Sequence, residues 1–209
     1  METIRVKKSN SIDWKPSPVI ALATSLDDSQ VVAAREDGSL EIWLVSLGSV
    51  GWHCQLTIQG DTTSRVSSLV WCRSSTPSGK LLSSSLDGSI LEWDLFDLKQ
   101  KVLLNSTGVS IWKMVVEPLQ DSLVSEYQHA INGFANHKVT SGDDDESSET
   151  VLETSRVALG CDDGSVRLYY VSDSDGITFD RSLPMANGPI LSVAWSLDAK
   201  LIFSGSAKG

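Results

Sequence analysis

Three stretches of this chain say nearly the same thing: "AREDGSLEIWLV" at 34–45, "SSLDGSILEWDL" at 84–95 and "GCDDGSVRLYYV" at 160–171. Asp-Gly between apolar-rich runs is a strong hairpin signal, because Gly, and Asp before it, tolerate the positive φ that a two-residue hairpin turn demands. The turns are therefore assigned to Asp37-Gly38, Asp87-Gly88 and Asp163-Gly164. Their outgoing arms read as half-buried strands. Leu40 and Ile42 alternate with Ser39 and Glu41, and Val166 and Leu168 alternate with Ser165 and Arg167. Before each turn runs a stretch of small or apolar residues, such as Val31 to Ala34 or Val157 to Gly160, that suits a strand squeezed between sheets.

Alignment on the glycine extends the match. Trp43, Trp93 and Tyr169 fall at one place after it. Upstream, Leu22, Leu69 and Val193 share one column, and Thr24, Trp71 and Trp195 share another. "SIWKMVVEPL" fills the same role in the third copy, and in a fourth, "SGSAKG" puts Lys208-Gly209 in the Asp-Gly column. The repeated unit is strand, turn, strand, Asp-Gly, strand, aromatic. Gly38 to Gly88 is 50 residues and Gly164 to Gly209 is 45, the spacing of propeller blades, about 40–50 residues each. Gly88 to Gly164 is 76 residues, which implies an insertion of about thirty over that period.

These residues resemble the WD-repeat family. Trp93-Asp94 is its dipeptide, and "SSSLDGSILEWDL" matches its second and third strands, while Trp43-Leu44 and Tyr169-Tyr170 are degenerate versions. No Gly-His dipeptide precedes the first strands. The resemblance implies an all-β WD-repeat β-propeller, here an incomplete set of about three and a half blades with an acidic insertion. The expected organisation is a leader and closing strand over 1–18, blade one over 19–47, blade two over 62–98, blade three over 108–172, and the start of blade four over 189–209. The chain is expected to be a truncated product, isoform or fragment whose open sheet edges leave it marginally stable and sticky.

The net charge is −10, and it is unevenly placed. Between Leu119 and Thr154 lie eight acidic residues and only Lys138 as a base, so this segment carries seven of the ten net negative charges. It coincides with the insertion, and "TSGDDDESSET" has the composition of a disordered loop. Three readings stand open: a solvated loop, a docking segment for a basic protein surface, or a phosphorylated one, since Ser141 and Ser147 lie upstream of acidic residues. Arg5, Lys7 and Lys8 form the basic cluster of the leader and are the candidate contacts to RNA or a partner. Glu92 breaks the pattern by standing in the slot of Ile42 and Leu168, so it should reach a rim or meet a cation.

Catalysis requires a nucleophile, base or metal positioned in a cleft. His53, His129 and His137 show no metal-ligand spacing with Cys or carboxylates, and His53-Cys54 is read as part of a connecting segment. No G-x-S-x-G, phosphate-binding glycine loop or H-x-E signature occurs. The expectation is a non-enzyme with no cofactor, no metal and no small-molecule substrate. No apolar run approaches the roughly twenty residues of a membrane helix, and no membrane partner is expected. Cys54, Cys72 and Cys161 are neither even in number nor in C-x-x-C spacing, which fits a reduced intracellular compartment, with Cys72 and Cys161 as small buried hydrophobes.

Over its length the chain is similar to the cirhin family of WD-repeat proteins in the small-subunit processome. The match runs through "IDWKPSP", "VVAAREDGSLEIW", "SRVSSLVW", "LLSSSLDGSILEWDL", "GVSIWKM" with Trp112, "RVALGCDDGSVRLYYV" and "ILSVAWSLDAKLIFSGS". The resemblance implies a nucleolar scaffold of the t-UTP subcomplex. Its partners would be other WD-repeat and helical subunits of a large ribonucleoprotein, with pre-ribosomal RNA met mostly indirectly. The competing reading is a WD-repeat substrate or partner adaptor in a ubiquitin ligase or chromatin complex. A propeller that binds RNA in its own right would need a basic face that this acidic sequence does not offer.

Overall fold

The computed structural model describes residues 17–45, 52–60, 65–76, 78–118, 154–184 and 186–208. The leader cluster Arg5, Lys7 and Lys8, nearly all of the acidic insertion with Ser141 and Ser147, and Gly209 lie outside these residues. Every described element is a strand.

The strands group by sequence order into antiparallel sheets. The first holds β1 (Val19–Thr24), β2 (Gln30–Arg35), β3 (Leu40–Leu44) and β4 (His53–Ile58). The second holds β5 (Val66–Cys72), β6 (Lys80–Ser85), β7 (Ile90–Asp94) and β8 (Lys99–Leu104). The third holds β9 (Ile111–Val116), β10 (Ser155–Cys161), β11 (Val166–Ser172) and β12 (Gly176–Ser182). A fourth pairs β13 (Ile190–Trp195) with β14 (Ile202–Ser206). The first strands pack side by side along the series, β1 on β5, β5 on β9 and β9 on β13.

Three apolar cores lie between successive sheets. Val32, Ile42, Leu69, Trp71 and Trp93 join the first two. Leu82, Ile111, Met114, Leu159 and Tyr169 join the second and third. Ala158, Leu168, Ile190 and Val193 join the third and fourth. Sheets stacked face to face around a line of first strands are the blades of a propeller, and the described residues form a partial one.

The small-residue runs explain the close stacking. A Cβ added at Gly160 would stand 2.9 Å from both Ile190 and Val193, so β10 can lie against β13 only without a side chain there. Cys72 and Cys161 are fully buried in the second core, and burial pushes the Cys72 thiol up to about 12. They pack as small hydrophobes.

Two differences from the sequence reading stand out. Each of the first three units has a fourth strand, and His53-Cys54 opens β4 instead of sitting in a connection. Outer strands bury little: β8 is exposed over its first four residues and β4 over its first three. β8 therefore lacks the alternation that marks a half-buried strand, whereas β4 keeps it, Cys54, Leu56 and Ile58 alternating with His53, Gln55 and Thr57.

Candidate functional site: the inner rim at the Asp-Gly end

The three Asp-Gly turns superpose in their hydrogen bonds. Arg35, Ser85 and Cys161 each donate their N–H to the Ser carbonyl four residues on, at 2.9, 3.0 and 3.0 Å. Gly38, Gly88 and Gly164 donate back to the same three residues at 3.1 to 3.2 Å. This is a three-residue loop, a type I turn closed by a left-handed glycine, and not the two-residue turn expected from the dipeptide. Only the glycines take positive φ, 83°, 86° and 85°; the aspartates do not. Asp instead caps the turn. Asp37, Asp87 and Asp163 accept the N–H of Ser39, Ser89 and Ser165 at 2.9, 2.8 and 2.9 Å.

The turns also tie one unit to the next. The Gly88 carbonyl accepts from Thr107 N–H at 2.9 Å, and the Thr107 carbonyl accepts from Arg167 Nη1 at 2.6 Å. Arg167 Nη2 in turn reaches Asp163 Oδ2 at 2.6 Å, so the second and third turns are linked through the connection between them. The Gly164 carbonyl repeats the pattern by accepting from Ala186.

Burial acts to raise the Asp163 carboxyl, but hydrogen bonds from Ser165 and Arg167 outweigh it and hold the group below the ordinary 3.8. A depressed folded-state value stabilises fully above 3.8 and is lost as pH falls through the folded value. Asp163→Asn should therefore melt below the parent at neutral pH, with the gap closing as the pH is lowered into the acid range. A gap that stays constant would mean that the charge on Asp163 contributes nothing.

Next to these turns every first strand carries a bulge at one register position. The unpaired residue is Ile20 between Val19 and Ala21, Ser67 between Val66 and Ser68, Trp112 between Ile111 and Lys113, and Leu191 between Ile190 and Ser192. A bulge re-aims the side chain it carries. Ile20, Trp112 and Leu191 are exposed although they sit on the innermost strands. The Trp112 indole is fixed by donating to Asp162 Oδ1 at 2.9 Å. The result is a row of side chains, three of them apolar, held by rigid strands along one rim. The sequence marks Trp112 but not the row. The signal it carried was an apolar doublet where alternation should hold: Val19-Ile20, Ile111-Trp112 and Ile190-Leu191.

The blade aromatics are not part of that rim. Trp93 is buried and donates to Ser83 Oγ at 2.9 Å; Tyr169 is buried edge-on to Phe179, with centroids 5.4 Å apart. Trp43 is half-buried and donates to Glu41 Oε2 at 3.1 Å. Trp71 lies in the first core. Trp195 packs at the third, where the Arg156 guanidinium lies between its ring, at 5.7 Å, and that of Tyr170, at 5.6 Å. Arg156 is anchored there by Asp180 at 2.7 Å. Trp71, Trp93, Tyr169 and Trp195 join sheets to one another, whereas Trp43 bonds within its own strand. Glu92 meets cations, Lys80 at 3.7 Å and Lys101 at 3.8 Å. Among the described residues no group of three or more His, Cys, Asp or Glu side chains is placed to hold a metal ion.

Residues 52–94 match the family model described as WD domain, G-beta repeat. The matched span runs from β4 through β7, the outer strand of one sheet and three strands of the next, so this part of the partial propeller is a WD-type repeat. The chain is also similar to curated proteins along nearly its whole length. It is 24% identical over 206 residues to the U3 small nucleolar RNA-associated protein 4 homolog of Homo sapiens, covering 99% of this chain and 24% of that protein. The Mus musculus homolog is 25% identical with the same coverage, and U3 small nucleolar RNA-associated protein 4 of Saccharomyces cerevisiae is 22% identical, covering 100% of this chain and 23% of that protein. The chain thus spans about a quarter of the length of these relatives.

Proposed function

We propose that this chain belongs to a non-enzymatic scaffold of ribosome biogenesis, which helps assemble the small-subunit processome on pre-ribosomal RNA. The observation that carries this reading is the end-to-end similarity to proteins named for the U3 small nucleolar RNA in mammals and yeast. The motif resemblance to the cirhin family points the same way. The fold supports a platform role, since cross-linked turns and interleaved cores hold the rim residues on strands rather than on free loops. Its partners on this reading are other WD-repeat and helical subunits in the nucleolus, and pre-ribosomal RNA is met mainly through them. The acidic charge supports protein contacts over direct reading of phosphates.

Depletion of the protein tests this. Mature small-subunit ribosomal RNA should fall and spacer-containing precursors should accumulate, while large-subunit RNA is maintained. An unchanged ratio of the two subunit RNAs would refute the proposal.

A further inference from the structure

At the end of the second sheet opposite its Asp-Gly turn, a cleft of about 490 Å³ opens beside the third sheet, within the range of ligand-sized pockets. Its lining comes from the turn between β5 and β6, the end of β7, the turn after it, and Asp173 in the turn between β11 and β12. Lys80 is committed there: it pairs with Asp173 at 2.8 Å and donates to the Ser172 carbonyl at 3.3 Å. Asp173 also accepts from the backbone and hydroxyl of Ser75. Asp94 is committed too, its carboxylate accepting the N–H groups of Phe96 and Asp97 at 2.9 Å each.

Glu92 is different. Its nearest cations, Lys80 at 3.7 Å and Lys101 at 3.8 Å, stand beyond hydrogen-bond length. Its Oε2 is buried with no hydrogen-bond partner. Trp71, only 4% exposed, lines the same cleft, and its indole N–H also lacks a partner. Phe96, on the turn that Asp94 fixes, also lines the cleft and is 95% exposed. A buried acceptor and a bare aromatic ring around one cleft are features that solvent-facing structure alone does not require.

We propose that this cleft receives an arginine side chain presented by a partner protein. The guanidinium donates as a fork to the Glu92 carboxylate and stacks on Phe96. The charges favour a cation, with Glu92, Asp94 and Asp173 set against Lys80 and Lys101. The fork favours arginine over lysine, because a planar guanidinium offers two parallel donors and a stacking face, whereas a third ammonium would compete with the two already beside Glu92. An acidic chain attracts basic partners at long range as well. The proposal does not depend on which assembly the protein joins.

The test is an NMR titration of the full chain with acetyl-arginine amide, with its neutral isostere acetyl-citrulline amide as control, following the Trp71 indole N–H. Arginine should give a saturable shift at least about fivefold tighter than citrulline. Glu92→Gln should bring arginine down to the citrulline level. Lys101→Ala, at a side chain 69% exposed, should tighten arginine binding by removing a competing cation. This variant keeps the test valid should Glu92→Gln fail to fold, which loss of the dispersed indole resonances would reveal. No saturable shift, equal affinity for the two amides, or weaker binding by Lys101→Ala would overturn the proposal.

Discussion

Gly164→Val is expected to destabilise the protein by about 3 kcal/mol or more, read as a lowered denaturant midpoint. Two costs combine. At φ +85° a β-branched residue must adopt the left-handed region, worth roughly 1–2 kcal/mol. The new Cβ would also stand 2.5 Å from the Ala186 carbonyl and 2.9 Å from that of Gly188. Those carbonyls belong to the connection into the fourth sheet, and the Gly164 carbonyl itself holds Ala186 by a hydrogen bond. The backbone cannot step aside without loosening that joint. Gly108→Val separates the two costs, because Gly108 has φ +81° but a Cβ added there would meet no described atom within 4 Å. It should lose only the conformational part, about 1–2 kcal/mol. Equal losses at the two sites would show that the turn does not brace the next unit.

The second large effect separates two leucines in one column. Leu69 and Leu22 each occupy the same register position on a first strand, opposite Ser83 and Ala33. Leu69 is 5% exposed because the first sheet covers it; Leu22 is 64% exposed, with no described sheet on its side. Leu69→Ala should cost about 2–5 kcal/mol, the sum of lost burial and the cavity left behind. Leu22→Ala should stay within about 0.5 kcal/mol, as for an ordinary surface substitution. Chemical denaturation of both variants checks this. Similar losses would mean that stacking between sheets is not what holds the fold.

These two sites also mark what could be read in the sequence. The Asp-Gly columns were legible because a left-handed closing residue admits little but glycine, and the aspartate cap selects its own dipeptide. The column of Leu22, Leu69 and Val193 was legible as a repeat, but only Leu69 and Val193 face a described neighbouring sheet and are buried, and Leu22 is not. Turn length was not, since two- and three-residue loops both accept Asp-Gly, and only the N–H of Arg35 finding Ser39 decides between them. The outer strand β8 was hidden by exposure. Residues such as Lys99, Gln100 and Lys101 reach a strand through pairing with β7, and no apolar pattern of their own announces it. Arg156 was invisible for another reason: Asp180, Tyr170 and Trp195 lie on β12, β11 and β13, and come together only when the third and fourth sheets pack. The same holds for the cleft at Glu92. The sequence marked Glu92 as out of place, but the missing hydrogen bond at Oε2 and the bare ring of Phe96 are matters of geometry.

The proposed scaffold role rests on protein contacts within a ribonucleoprotein. Affinity purification of the tagged protein from cells, with and without ribonuclease, tests it most directly. Other WD-repeat processome proteins should be recovered in both samples, with spacer-containing pre-ribosomal RNA in the untreated one. Recovery of ubiquitin-ligase or chromatin subunits without ribosomal precursor would contradict it, and so would loss of every protein partner on nuclease treatment.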